Sequence, residues 1–234
     1  MYQGMKDSIV RSCGHIEEVY WRGTNQEIMA QIEEEASVPC KECQRAQLIS
    51  ANSGLDQYDH NGKKSQHAVG AANIRRELKK AFPDVKFSVR SDSFSMGCSI
   101  DISWQDGPTT TEVDALINKY QYADFDGMTD STTYRDDPWS DVFGGAKYVH
   151  GQRKASAETI AALTPWAEEQ LQNRDCCSAQ GIWNANDVIW RMVSATSFPA
   201  GQMAIGIEHG DNSGVRWPED FYRVIFAERT AKAA

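Results

Sequence analysis

Two short cysteine-bearing turns at the front of the chain limit what its first fifty residues can form. The first, RSCGHIEE, sets Cys13 and His15 on either side of Gly14; the second, VPCKECQ, sets Cys40 and Cys43 behind Pro39. The spacing is Cys-x-His, then 24 residues (positions 16 to 39), then Cys-x-x-Cys. Three readings compete for the second turn: a redox dithiol, half of a metal site, or a chance pair. A redox dithiol wants a strand ahead of it within a βαβ pattern. Here the acidic run Glu33 to Glu35 and then Pro39 precede it. A structural zinc site, by contrast, needs four ligands from two tight turns, and four are present. The pattern therefore predicts a Zn2+ site with Cys13, His15, Cys40 and Cys43 as ligands. Its role would be structural, because four protein ligands leave no position open for water.

The residues between the turns suit such a module. Ser8–Ser12 and Ile16–Trp21 carry Ile, Val, Tyr and Trp and predict a short hairpin. Gly14 permits the bend between Cys13 and His15. Asn25 is placed to cap a helix with Ile28, Met29 and Ile32 on one face.

Residues 51–67, ANSGLDQYDHNGKKSQH, are polar and aperiodic and are expected to form a linker. His60 and His67 within it are expected in solvent. Beyond it the periodicities sharpen. Ile74, Leu78 and Phe82 recur every fourth residue and predict a helix ended by Pro83. Val85, Phe87 and Val89 alternate with polar residues, as do Ile100, Ile102 and Trp104, giving two strands with one buried face each. Thr109 or Thr110 then caps a helix bearing Val113, Leu116, Ile117 and Tyr120. AKYVHGQ offers a further strand, and Ser156 opens a helical stretch to Gln172 interrupted at Pro165. A helix through NDVIWRMVSA and strands at QMAIGIEH and FYRVIFAE close the chain, either extending the sheet or forming a separate hairpin against the last helices. The predicted fold class is α+β. A zinc-knuckle module (1–50) and the linker (51–67) precede a two-layer α/β domain (68–234) with antiparallel strands and a C-terminal helical and hairpin part.

Composition restricts the partners. The net charge of −9 argues against a broad phosphate-binding surface. Arg75, Arg76, Lys79 and Lys80 form a local basic cluster, better read as a solvated helix face than as a nucleic-acid site. No apolar run approaches membrane-spanning length, and MYQGMKDSIV has no signal-peptide pattern. Cys98, Cys176 and Cys177 are odd in number, which disfavours disulfides and points to a reducing cytoplasm. Cys176 and Cys177 are expected to be packing residues.

Catalytic patterns are sparse. Asp124, Asp126, Asp130, Asp136, Asp137 and Asp141 invite a calcium reading, but the EF-hand spacing fails: counted from Asp124, Gly127 is fourth and the twelfth position is Arg135. A loop of turn-forming residues is the better reading, with a carboxylate metal site as the alternative. His150 and His209 are placed at the ends of predicted strands and are expected to be structural.

The stretch from Ile74 to Ser131 resembles the large polyvalent protein-associated domains of phages and conjugative elements. KFSVRSDSFSMG, SIDISWQDGPT and FDGMTD carry the resemblance, which covers residues 68 to 150. The Cys-Gly-His and Cys-x-x-Cys front end is similar to zinc modules found beside such domains. The resemblance brings no catalytic residue with it. It implies a protein of invading DNA acting in a bacterial cytoplasm, and so a non-enzymatic inhibitor that binds a subunit of a host defence complex (CRISPR or restriction type). The alternatives are a nucleic-acid-binding accessory of incoming DNA, using the zinc module and the Arg75–Lys80 cluster, and a nucleic-acid-modifying enzyme.

Overall fold

The structure is a computed structural model that describes residues 3–172, 184–199, 202–209 and 222–228. Its first element pair is a hairpin, β1 (Gln3–Val10) against β2 (Ile16–Gly23), in register from Gln3↔Gly23 to Val10↔Ile16. It is longer at both outer ends than its apolar residues suggest. Helix α1 (Asn25–Ser37) crosses it and buries Ile28 on Ile9 and Trp21. The cap of α1 is Thr24 rather than Asn25. Its hydroxyl accepts from the Glu27 N–H at 3.4 Å while the Glu27 carboxylate accepts from the Thr24 N–H at 2.7 Å, so two of the helix's orphan donors are satisfied at once.

Helix α2 (Lys41–Ala51) has no counterpart in the sequence reading. It begins at the second cysteine turn, and its far end lays Leu48 and Ile49 on the core of the central unit. Residues 52–65 follow that core too. Leu55 packs on it, the Tyr58 N–H donates to Val142 O at 2.7 Å, and buried Asn73 bridges the backbone of Asp56 and Phe143. Polar composition there reflects hydrogen bonding to neighbours as well as to solvent.

The central unit follows the predicted order. Helix α3 (Gln66–Ala81) ends at its C-cap Phe82, just before Pro83. Strands β3 (Ser88–Phe94) and β4 (Gly97–Gln105) pair antiparallel. Thr109 wins the capping position of α4 (Thr110–Ile117), again with a capping box, and a 3₁₀ turn carries the chain to Tyr120. The predicted inward residues lie in one core: Ile74, Leu78, Val89, Ile100, Ile102, Trp104, Val113 and Ile117 are buried, and Val85, Phe87 and Leu116 pack at its margin. Between α4 and the next core strand, the Asp-rich stretch forms a hairpin, β5 (Ala123–Asp126) with β6 (Ser131–Tyr134), and a short helix, α5 (Trp139–Phe143). Strand β7 (Tyr148–Lys154) then joins β4 in parallel, giving the order β3-β4-β7, while the other strand pairs among the described residues are antiparallel.

Helix α3 meets the loop after α5 at very short range. A Cβ at Gly70 would lie 2.8 Å from Gly145 N, and one at Gly145 would lie 2.4 Å from Tyr120 O. Only glycine allows this approach.

The last elements form a second core. Helix α6 (Ala157–Gln172) runs through Pro165 without stopping, and α7 (Ala185–Ala195), capped by Asn184, packs beside it. Strands β8 (Gln202–His209) and β9 (Tyr222–Glu228) make a separate antiparallel hairpin against α6 instead of extending the central sheet. Arg153 ties the two cores together. Its guanidinium donates to Asp106 O, Gly107 O and Val193 O, and it lies 4.9 Å from the centre of the Phe198 ring. Burial lowers its pKa to about 10.

Candidate metal centre

The two cysteine turns come together. Arg11 to His15 form the tip of the first hairpin, closed by the Gly14 N–H on Arg11 O at 2.8 Å and the Arg11 N–H on His15 O at 2.9 Å. Gly14 sits at φ +81°, a left-handed value that a side chain would resist. The second turn is a helix start: Cys40 is the N-cap of α2 and Cys43 lies in its first turn. Pro39 O accepts from the Gln44 side chain at 2.6 Å, which fixes the approach to that helix. The tip and the helix start are joined directly, by the Ser12 N–H on Val38 O at 3.2 Å and the Cys40 N–H on Cys13 Sγ at 3.2 Å.

This brings Cys13, His15, Cys40 and Cys43 into one cluster, with ligand atoms all within 4.8 Å of one another. His15 Nδ1 is 3.5, 3.4 and 3.3 Å from the sulfurs of Cys13, Cys40 and Cys43. A tetrahedral ion with bonds of about 2.3 Å to sulfur and about 2.0–2.1 Å to nitrogen would hold such atoms about 3.5–3.6 Å apart. The observed separations match that geometry closely. Thiol ionisation points the same way. The Cys40 N–H, first among the causes, brings the Cys13 thiol down to about 6, so it is readily an anion. Hydrogen bonding with Cys40, burial and the nearby Cys13 push Cys43 up to about 11. Three thiols this close cannot all ionise unless a cation stands between them. The four residues can hold a metal ion, and the set of three sulfurs and one nitrogen is consistent with zinc.

Arg11, which the sequence reading did not single out, braces the tip. It is 7% exposed, donates to Glu17 at 2.7 Å and to Glu35 O at 2.7 Å, and also pairs with the Glu35 carboxylate. Burial works against its charge, yet the two glutamates more than offset this and raise its pKa. The only signal in the sequence was a lone arginine beside the turn, with an acidic run one helix away.

The other candidates do not assemble into sites. Among the described residues, the Cys/His cluster is the one group of His, Cys, Asp or Glu side chains arranged to hold a metal. Four of the aspartates between 124 and 141 are engaged by turns and ion pairs instead. Asp124 takes a two-point ion pair from Arg135, which lowers its pKa. Asp126 accepts from the Met128 N–H and the Thr129 hydroxyl, Asp136 meets Lys41 at 3.3 Å, and Asp137 accepts from the Trp139 N–H. In the basic cluster, Arg75 donates to Val89 O and Arg76 pairs with Asp56, while Lys79 and Lys80 are exposed. His60 is exposed and its ring packs edge-on to Tyr58; His67 is half-buried beside the Ser65 hydroxyl and not free in solvent. His150 lies within β7 rather than at its end, and His209 ends β8. Cys176 and Cys177 lie outside the described residues. No described helix is long and apolar enough to cross a membrane.

Comparisons with curated proteins and with solved structures found no match. Residues 65–156 match the family model described as large polyvalent protein associated domain 29. The matched span begins at Ser65, the N-cap of α3, and ends just after β7; it takes in the whole central sheet and leaves the metal module outside. The central unit of this chain thus matches the large polyvalent protein associated domain model across its whole sheet, and a Cys/His module able to hold a metal ion stands before the matched span.

Proposed function

We propose that the protein is a mobile-element-encoded counter-defence protein. It would inhibit a host defence complex of CRISPR or restriction type, in the bacterial cytoplasm, by binding one of its protein subunits without catalysis. The ion in the Cys13, His15, Cys40 and Cys43 cluster is Zn2+, and its role is structural.

The observation that carries this reading is the surface made by the β5–β6 hairpin and the residues after it. Phe125 and Met128 are 53% and 94% exposed at its tip. Asp124, Asp126 and Asp130 lie on the same hairpin and Asp136 and Asp137 follow its base, all exposed; turns and ion pairs hold Asp124, Asp126, Asp136 and Asp137, and the five do not converge on an ion. Apolar anchors within an acidic rim suit a partner with an apolar pocket rimmed by Lys and Arg, the surface of a protein that handles nucleic acid. The domain match supplies the setting of invading DNA.

The test is titration of reconstituted defence complexes with the zinc-loaded protein, followed by mass measurement of every component. Loss of activity with a break near equivalence and unaltered masses is expected. Full inactivation at one molecule per hundred complexes, with a covalent mass change, would sink the reading.

A further inference from the structure

Helices α3 and α4 pack on one face of the central sheet, the face that carries Ile100, Ile102 and Val149. The alternate residues of β3, β4 and β7 face the other way, and each is exposed or half-exposed. At one end of that open face three rings form a ladder. Phe94 on β3 lies 6.2 Å from Tyr148 on β7 with planes 19° apart, and Tyr148 lies 6.1 Å from His150 with planes 15° apart. Phe94 can reach across β4 because its partner in the pairing is Gly97, where a Cβ would come 3.5 Å from the Phe94 ring and 3.0 Å from Lys147. Phe94 is 49% exposed and His150 is also exposed, so the ladder is not part of either core.

The charges of this face favour an anion. Lys147 lies 5.3 Å from the centre of the Tyr148 ring. Arg90 and Lys154 are exposed on the same face, and among the described residues their side chains have no partner. Two carboxylates share the face. Asp101 stands between Arg90 and His150 in the strand register and accepts from the Ser99 hydroxyl at 3.1 Å. Asp92 accepts from the Ser93 N–H at 2.8 Å. Over the face as a whole three cations stand against two acids, with Lys154 at the end of β7 away from the rings, a reversal of sign on a chain of net charge −9.

We propose that this open face is a stacking platform for single-stranded nucleic acid, with Phe94, Tyr148 and His150 as successive ring seats and Arg90, Lys147 and Lys154 as phosphate partners. Near-parallel rings suit consecutive bases, each of which presents a π face whatever its identity. Aromatic anchors in a protein–protein contact fill pockets and need no common orientation. Recognition is therefore tolerant of sequence. A duplex, whose bases are already stacked on one another, gains nothing from the ladder. The platform lies on the sheet face and is separate from the acidic hairpin assigned to protein docking, so either assignment can fail alone.

The test uses the full-length, zinc-loaded protein and fluorescein-labelled single strands of twelve uridines or twelve thymidines, with a mixed-sequence twelve-base-pair DNA duplex for comparison, read by anisotropy. Saturable binding of at least one single strand is expected, at least tenfold tighter than the duplex. Tyr148→Ala and His150→Ala should each weaken it about tenfold, while Tyr148→Phe retains it, which separates loss of the ring from loss of the fold. Lys147→Gln should weaken binding and make its log–log salt slope shallower by about 0.7. Arg75→Gln should leave it unchanged. A difference between uridine and thymidine strands would assign the platform to RNA or to DNA. Absence of saturable binding, equal binding of the duplex, or binding indifferent to Tyr148→Ala overturns the proposal. So does a Tyr148→Ala defect seen only in binding to a defence-complex protein, which would make the face a protein contact.

Discussion

Replacing Cys40 with Ser tests the metal centre where the structure depends on it most. Cys40 is 3% exposed, starts α2, donates its N–H to Cys13 and places its sulfur 3.4 Å from His15 Nδ1. Among the described residues, the apolar core of the module has Ile9, Trp21 and Ile28 buried. Burying such side chains contributes about 1.5–3 kcal/mol each, whereas a structural zinc site contributes about 10–16 kcal/mol of apparent binding energy. The metal term outweighs the core, so its loss should unfold β1, β2 and α1. The central unit should survive, because its own core has fifteen buried apolar residues, none of which belongs to the Cys/His cluster. The end of α2 should stay docked through Leu48 and Ile49. Hydrogen exchange read by mass spectrometry checks this residue range by residue range: in Cys40→Ser, or after chelation, amides in 3–37 should exchange fast while those of β4 remain protected. Purified without chelator, the wild-type protein should carry close to one equivalent of zinc. Retained protection of β1 and β2 in the variant, or less than about half an equivalent of zinc, would refute the reasoning.

Other outcomes follow from single contacts. Ile102→Ala, at a side chain 1% exposed in the middle of the sheet, should cost roughly 2–5 kcal/mol in denaturant unfolding. Gly145→Ala drives a methyl into Tyr120 O at 2.4 Å and should lower stability by about 1–3 kcal/mol or more, with a matching fall in Tm. The Tyr120 pKa is raised, chiefly by burial and then by its 2.6 Å hydrogen bond to Glu77, so the folded state holds this proton more tightly than the unfolded chain does. That stabilisation is complete below about pH 10 and is lost as pH rises beyond it; Tyr120→Phe should flatten the loss in alkaline melts. Changing Asp124, Asp130, Asp136 and Asp137 to Asn should weaken partner binding gradually, and added salt should weaken the wild-type complex too.

The Cys/His cluster was legible in the sequence because a Cys-x-His turn and a Cys-x-x-Cys turn are local patterns that need only a fold bringing them together. Their brace was not. Arg11 finds Glu17 six residues away and Glu35 twenty-four residues away, and nothing local marks that triad. The same distinction holds for the fold. Period-two alternation placed Ile100, Ile102 and Trp104 inward, and fourth-residue spacing placed Ile74 and Leu78. Helix α2 was missed because its apolar residues, Leu48 and Ile49, sit together near one end, and it buries no residue fully. The Asp-rich stretch has the composition of a loop because aspartate and glycine favour turns. It forms strands all the same: Arg135 pairs with Asp124 across the hairpin, and its N–H reaches Tyr122 O at 2.9 Å.

How the module meets the central unit decides what the ion can influence. Helix α2 starts at Cys40 and ends with Leu48 and Ile49 on the central core, so one rigid element joins the cluster to the domain. Lys41, next to Cys40 of the cluster, reaches Asp136 on the acidic side of the β5–β6 region. Between them lies a polar groove of about 600 Å³, walled by Arg11, Lys41 and Arg45 on the module side and by Tyr134, Asp136 and Asp141 on the other. The Lys41–Asp136 pair is well exposed and contributes at most about 1 kcal/mol, so it does not hold the two walls together. That task falls to α2 and, through α2, to the cluster at its start. Losing the ion should therefore leave the Asp-rich hairpin folded on its own core while removing the opposite wall of the groove. A partner that touches the hairpin alone would bind the Cys40→Ser protein unchanged. One that also occupies the groove would lose affinity in step with the zinc content, and binding measured across a series of partly metallated samples separates the two.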